Sequence, residues 1–179
     1  LSARGYRVVN IDYPSRKNRI AELTEMVRQE VVAKTRNGEK VHFITHSMGG
    51  IILRFIQQND PLSNLGRVVM LSPPNQGSEV VDALGNLSLF GFINGPAGRE
   101  IGTDEQSIPR RLGKIDFELG VITGDRSINW INSLLIPGKN DGKVSIESAK
   151  IEGMVDFGRI ASRERIPLDL KESLLHFIQ

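Results

Sequence analysis

The chain has 179 residues, 39% of them hydrophobic and 25% charged, with 18 Gly and 8 Pro. That is enough to close one hydrophobic core and too varied for a fibre or a disordered tract, so one globular domain over 1–179 is expected. The 23 basic and 21 acidic residues leave a formal charge of +2, and no Lys/Arg block or basic stripe interleaved with aromatics points to a nucleic-acid partner.

With no Cys, and with three His that lack a ligand spacing such as His-Glu-x-x-His, no disulfide framework, metal centre or cofactor is expected. No apolar run reaches the roughly 18 residues of a membrane span, and no charged-then-apolar leader pattern opens the chain. The start, Leu1-Ser2-Ala3-Arg4, reads as the interior of a longer sequence, so the domain is expected to be incomplete at its N-terminus. Oligomeric state and compartment stay open.

In chain order, Tyr-Arg-Val-Val-Asn-Ile-Asp-Tyr-Pro (6–14) is a short β-branched run closed by Pro14, expected as a buried strand. From Asn18 to Arg36, Ile20, Leu23, Met26, Val27 and Val31 recur at helical spacing, with Glu22 and Glu25 early and Lys34 and Arg36 late, as a helix dipole favours. Asn37-Gly38 is the expected stop. Lys-Val-His-Phe-Ile-Thr (40–45) is a second strand, Gly49–Gln58 a second helix, the run from Arg67 to Pro74 a third strand, and Leu119–Gly124 a fourth. Strands separated by helices predict an α/β fold, a mostly parallel sheet with helices on both faces. Residues 75–114 lack a period and read as an excursion from the sheet, a lid or cap.

Ser47, in Thr-His-Ser-Met-Gly-Gly (45–50), falls where a buried strand turns directly into a helix. This is the context that gives Gly-x-Ser-x-Gly its meaning, since the hydroxyl is pushed clear of the sheet and small neighbours let strand and helix pass closely. Gly49 meets that demand. Thr45 departs from the usual Gly. The Met48 N–H, at the helix N-terminus, is the candidate oxyanion donor. The competing reading is a Ser that merely caps the helix.

Thr-His-Ser-Met-Gly-Gly, the block 67–82, Leu-Gly-Val-Ile-Thr-Gly-Asp-Arg-Ser-Ile-Asn (119–129) and Asn-Asp-Gly-Lys-Val-Ser (140–145) continuing to Met154 resemble successive blocks of a bacterial α/β-hydrolase family, relatives of the serine lipases and esterases. The resemblance runs from Gly5 to Met154 in order. It implies an α/β-hydrolase fold, Ser47 as nucleophile and Asp141 as triad acid. It also implies a strand and a His-Gly type oxyanion loop before Ala3-Arg4-Gly5-Tyr6, and that strand is absent from this sequence.

The order Ser, acid, His in such hydrolases puts the acid on a loop beyond a late strand. Asp141, in Pro-Gly-Lys-Asn-Asp-Gly, and Asp125, directly after Gly124, both fit; Asp141 is preferred, and a turn-forming Asp is the alternative for each. For the base, His42 lies five residues before Ser47 on a strand, roughly 16 Å away at about 3.3 Å per residue. His46 adjoins the serine but points the opposite way, and reads as a packing residue. His176 follows the acid, yet on its helix it shares a stripe with Asp169, Glu172 and Ser173, solvent-facing and paired with Glu172. The resemblance would put a base near Ala161 to Glu164, where there is no His.

The excursion concentrates Leu84, Leu87, Leu89, Phe90, Phe92 and Ile93, a flap suited to an acyl chain or a cap packed on the sheet. The leading expectation is a serine-dependent carboxylic ester hydrolase acting on a small-molecule ester or acyl substrate through Ser47, Asp141 and a His, with His176 the candidate and Met48 N–H at the oxyanion. The alternatives are a catalytically silent hydrolase-fold module that binds an acyl ligand or protein partner, and acyl transfer to an acceptor other than water.

Overall fold

A computed structural model of the protein describes residues 1–36, 38–78, 81–82, 95–124 and 146–160. Helix α1 (Ile20–Lys34) precedes β1 (Val41–His46); α2 (Met48–Asn59) carries the chain over to β2 (Leu65–Leu71). The single-turn helices α3 (Ile108–Arg111) and α4 (Ile146–Ala149) lie in the links to β3 (Leu119–Gly124) and β4 (Asp156–Ile160). All four strands are parallel and lie side by side in chain order. Parallel neighbours need a crossover rather than a tight turn, so this order follows from strands separated by helices.

The apolar stripe of α1 buries Ile20, Leu23 and Val31, while Met26 stays 41% exposed. Its first turn is closed by carboxylates: Arg19 N–H donates to Glu22 at 3.1 Å, and Ile20 N–H to Glu100 at 2.8 Å. These satisfy donors that have no intrahelical acceptor. The helix ends at Lys34, before the expected Asn37-Gly38, because Thr35 is already extended and turns its hydroxyl back to the Val31 carbonyl at 2.6 Å.

Helix α2 packs on α1 through Ile51, Ile52 and Ile56, and parts of the excursion, Val81, Ala97, Ile101 and Leu112, join the same cluster. A second cluster fills around Val68, Met70, Leu119, Val121 and Ile151, with Leu53 of α2. Phe43 of β1 touches both clusters.

Two expectations need correction. Residues 6–14 form no strand; Val8 and Val9 are 52% and 41% exposed, while Ile11 and Tyr13 pack half-buried against the core. Tyr6 lies against His42, ring centroids 6.3 Å apart, and the Tyr13 hydroxyl lies near Thr45 and Gly49. The segment therefore runs in the same sense as β1. No backbone hydrogen bond is recorded between residues 7–13 and that strand, and a slot of about 700 Å³ separates them. A strand is defined by its pairing, and this run has no strand partner among the described residues. The second correction is β4, which is not among the strands expected from the sequence and pairs with β3 from Gly120↔Asp156 to Gly124↔Ile160.

Candidate functional site

Ser47 is the single residue between β1 and α2. Its φ of 50° and ψ of −123° lie in a sparsely populated region that costs a non-Gly residue about 1–3 kcal/mol. The surrounding bonds hold it there: Ser47 N–H donates to the Leu71 carbonyl of β2 at 2.9 Å, and its own carbonyl accepts from Gly50 N–H at 3.0 Å. Its side chain makes no capping bond. A serine whose job was to cap would have extended backbone and a bonded hydroxyl, so Ser47 spends its strain on something other than capping. Met48 opens α2, and its N–H belongs to the first-turn donors that have no intrahelical acceptor.

The two glycines after it differ. A Cβ on Gly50 would sit 3.0 Å from Met70 Sδ and 3.2 Å from Pro73 Cβ, whereas one on Gly49 would find Thr45 Cβ and the Tyr13 hydroxyl at an ordinary 3.5 Å. The close approach to the neighbouring strand is made by Gly50. Thr45, where space was expected to be tight, is half-buried, and its hydroxyl has no hydrogen-bond partner among the described residues.

Of the histidines, His42 serves the sheet: its Nδ1 accepts Arg67 N–H at 3.0 Å and its ring packs on Gly66. Burial first, then the charges of Arg67 and Lys40, hold its pKa below the usual histidine value. His46 keeps part of its ring exposed at the end of β1, and the packing of the remainder lowers its pKa as well. Asp141, Asp125, His176, Leu84–Ile93 and Ala161–Glu164 lie outside the described residues, so the described site consists of Ser47 and its supports.

Four supports escaped the sequence reading. Ser72, at the end of β2, also has positive φ, 46°, and donates its N–H to Ile122 at 2.8 Å. Two adjacent parallel strands thus end in strained serines at one edge of the sheet, the edge where α/β folds place their ligands. Tyr13 lies over Gly49, its phenol pKa raised by burial and then by Asp12, so it stays a protonated donor. Arg54, 4% exposed, is the only charge in α2. Its guanidinium donates to the Asn75, Leu112 and Gly113 carbonyls at 3.0, 2.9 and 3.2 Å, and burial pulls its pKa down to about 10. Asn75 in turn donates to the Ala149 carbonyl at 2.9 Å. This chain of bonds ties the helix that starts at Ser47 to the loop after β2 and to α4. One signal was available in the sequence: a lone charge inside Ile-Ile-Leu-Arg-Phe-Ile.

Among the described residues, no group of three His, Asp or Glu side chains could hold a metal ion, and no helix is long and apolar enough to cross a membrane.

No family model matches the chain, and no curated protein sequence is significantly similar to it. Its similarity is to solved structures. The lipase BlEst2 of Bacillus licheniformis in mature form superposes with a TM-score of 0.52 at 19% identity, over 82% of this chain and 68% of the lipase. The phospholipase PlaB of Legionella pneumophila gives 0.60 at 22%, over 83% of this chain and 40% of PlaB. A monoacylglycerol lipase of Paleococcus ferrophilus gives 0.53 at 14%, over 93% and 79%.

Proposed function

We propose a function on the premise that the chain has the α/β-hydrolase fold: it is a serine-dependent carboxylic ester hydrolase of the lipase and esterase type, with Ser47 as nucleophile. The observation that carries this reading is the backbone of Ser47, φ 50° and ψ −123° between a parallel strand and a helix, with a hydroxyl not used as a cap. In the proposed reaction the Ser47 hydroxyl attacks the ester carbonyl and gives its proton to a base. Met48 N–H steadies the oxyanion, the alcohol leaves with the proton, and water releases the acid from the acyl-serine. Asp141 orients the base, and residues 75–114 cover the serine with an apolar flap. The base is His176 or is missing from this sequence.

One observation favours a second reading, a silent hydrolase-fold module that binds an acyl ligand or protein partner: there is no His between Ala161 and Glu164, where the resemblance would put the base. A triad lacking one member retains about a thousandfold to ten-thousandfold acceleration over water. The expected result with p-nitrophenyl butyrate is therefore slow turnover, lost in Ser47→Ala and little changed in His176→Ala, with a fluorophosphonate probe labelling Ser47. Turnover unaffected by Ser47→Ala removes the proposal. Absence of both turnover and labelling favours the silent module, and brisk turnover lost in both variants makes His176 the base.

A further inference from the structure

We propose that Arg54 is a positioning residue for Ser47: it pins the second turn of α2 to the segment 71–75, whose first residue already holds the Ser47 N–H. The consequence for rate rests on the hydrolase reading of Ser47; the consequence for structure rests on the bonds alone.

The segment that leaves β2 touches α2 at three points. The Leu71 carbonyl accepts Ser47 N–H at 2.9 Å. Pro73 Cβ lies 3.2 Å from the place a Cβ on Gly50 would take. The Asn75 carbonyl and Oδ1 accept from Arg54 Nη1 at 3.0 and 3.3 Å. Positions 47, 50 and 54 share one helix face, and they meet every second residue from 71 to 75. Contact is thus kept over two turns, roughly 10 Å at about 1.5 Å per residue. A helix held at Ser47 alone is free to pivot about that bond, and a second bond two turns on removes the pivot.

A splint must itself be stiff. Pro73 and Pro74 fix their own φ, and Ser72, at φ 46°, gives its N–H to Ile122 at 2.8 Å. The far end is held by three bonds: Gln76 N–H to Ser148 at 2.8 Å, Asn75 Nδ2 to Ala149 at 2.9 Å and Gln76 Nε2 to Lys150 at 3.1 Å. Arg54 also decides how Asn75 sits, because a flipped amide would turn its NH2 toward a guanidinium that has no acceptor.

Stability alone does not call for a charge at 54. Arg54 is 4% exposed, and all five of its bonds among the described residues end on uncharged oxygens. An apolar side chain of similar volume in such a place is often neutral or stabilising. What it lacks is the planar fork, here with one arm on Asn75 and the other on Leu112 and Gly113. The fork fixes the direction of α2, and that direction sets where the Met48 N–H points. A misplacement of about 1 Å can cost about a hundredfold in rate, so a bond two turns away acts on the reaction through the oxyanion donor.

The experiment compares the 179-residue chain with Arg54→Met, which keeps the volume, and Arg54→Lys, which keeps the charge without the fork. Turnover of p-nitrophenyl butyrate is measured per folded fraction, taken from urea curves, together with amide exchange at Ser47 and Gly50. In Arg54→Met, kcat is expected to fall about tenfold or more with KM within about twofold. Exchange of both N–H groups should quicken about tenfold or more, with β3 unchanged. Arg54→Lys should recover only part of kcat, and it carries the test if Arg54→Met does not fold. Unchanged exchange at Ser47 and Gly50, a rate that only follows the folded fraction, or full recovery of kcat by Arg54→Lys overturns the proposal. So does loss of a cooperative urea transition in both variants, since the bonds then hold the fold and not the turn. An unaltered chain without Ser47-dependent turnover removes the hydrolase reading alone, and the exchange result then decides for or against Arg54.

Discussion

The tripeptide Arg-Val-Val occurs twice, at 7–9 and at 67–69. In β2, Val68 and Val69 are 0% and 2% exposed, with Val68 N–H bonded to the Glu118 carbonyl at 2.9 Å. In the segment beside the slot, Val8 and Val9 are 52% and 41% exposed and belong to no strand. Equal local propensity meets unequal surroundings: one copy has β1 and β3 on its two sides, the other faces a gap. β-branching favours a pleated, half-buried surface only where one is on offer, so strand formation here is a property of the neighbours as much as of the residues.

Truncation of the two copies should separate them most. Val68→Ala removes two methyl groups from a fully buried site and leaves a cavity, and it should cost about 2–3 kcal/mol. Val8→Ala should stay within about 0.5 kcal/mol, as surface changes usually do. Urea unfolding of both variants measures the contrast through the midpoint. Similar losses would mean that the segment 7–13 is buried in solution and that the comparison fails.

A smaller contrast divides the two glycines after Ser47. Gly50 faces β2 with Met70 Sδ 3.0 Å from its would-be Cβ, so Gly50→Ala should cost about 1 kcal/mol or more through overpacking, moderated by the pliancy of methionine. Gly49 faces the slot side with 3.5 Å of room. Gly49→Ala should be neutral or stabilising by up to about 1 kcal/mol, the helix penalty of glycine. Equal destabilisation by both would show that the slot side is as tightly packed as the β2 side.

Residues read from sequence divide along the same line. Leu119–Gly124 was legible because a short apolar run between glycines and turn residues has few other fates, and α1 and α2 because their periodicity is local. β4 was not: Asp156-Phe157-Gly158-Arg159-Ile160 carries two charges and an internal Gly, and it becomes a strand through its bonds to β3. The segment 6–14 failed in the opposite sense, strand-like in composition and unpaired in fact. At the site, the turn at Ser47 could be placed because strand, small residues and helix are contiguous. The Arg54 bonds could not, because their acceptors lie 21 to 59 residues away. Asp141 and His176 remain expectations from sequence.

The smallest expected effect concerns acid, and His42 touches both sides of the comparison. Its Nδ1 accepts Arg67 N–H from β2, while its ring meets Tyr6 of the slot-side segment edge-on at 84°. A protonated Nδ1 is a donor and cannot accept, and burial together with Arg67 and Lys40 lowers the pKa in the folded state, Glu118 opposing them least. The folded value thus lies below the unfolded one of about 6.5. Stability from neutral His42 is fully present above that unfolded value and is lost as pH falls through the folded one. Urea midpoints should accordingly be lower at pH 5 than at pH 7.5. His42→Gln, which keeps an acceptor that cannot titrate in this range, should remove part of that difference. His46, also with a lowered pKa, contributes in the same direction, so His46→Gln separates the two. If His42→Gln leaves the acid loss whole and His46→Gln abolishes it, the acid sensitivity belongs to the Ser47 end of β1 and not to its bond with β2.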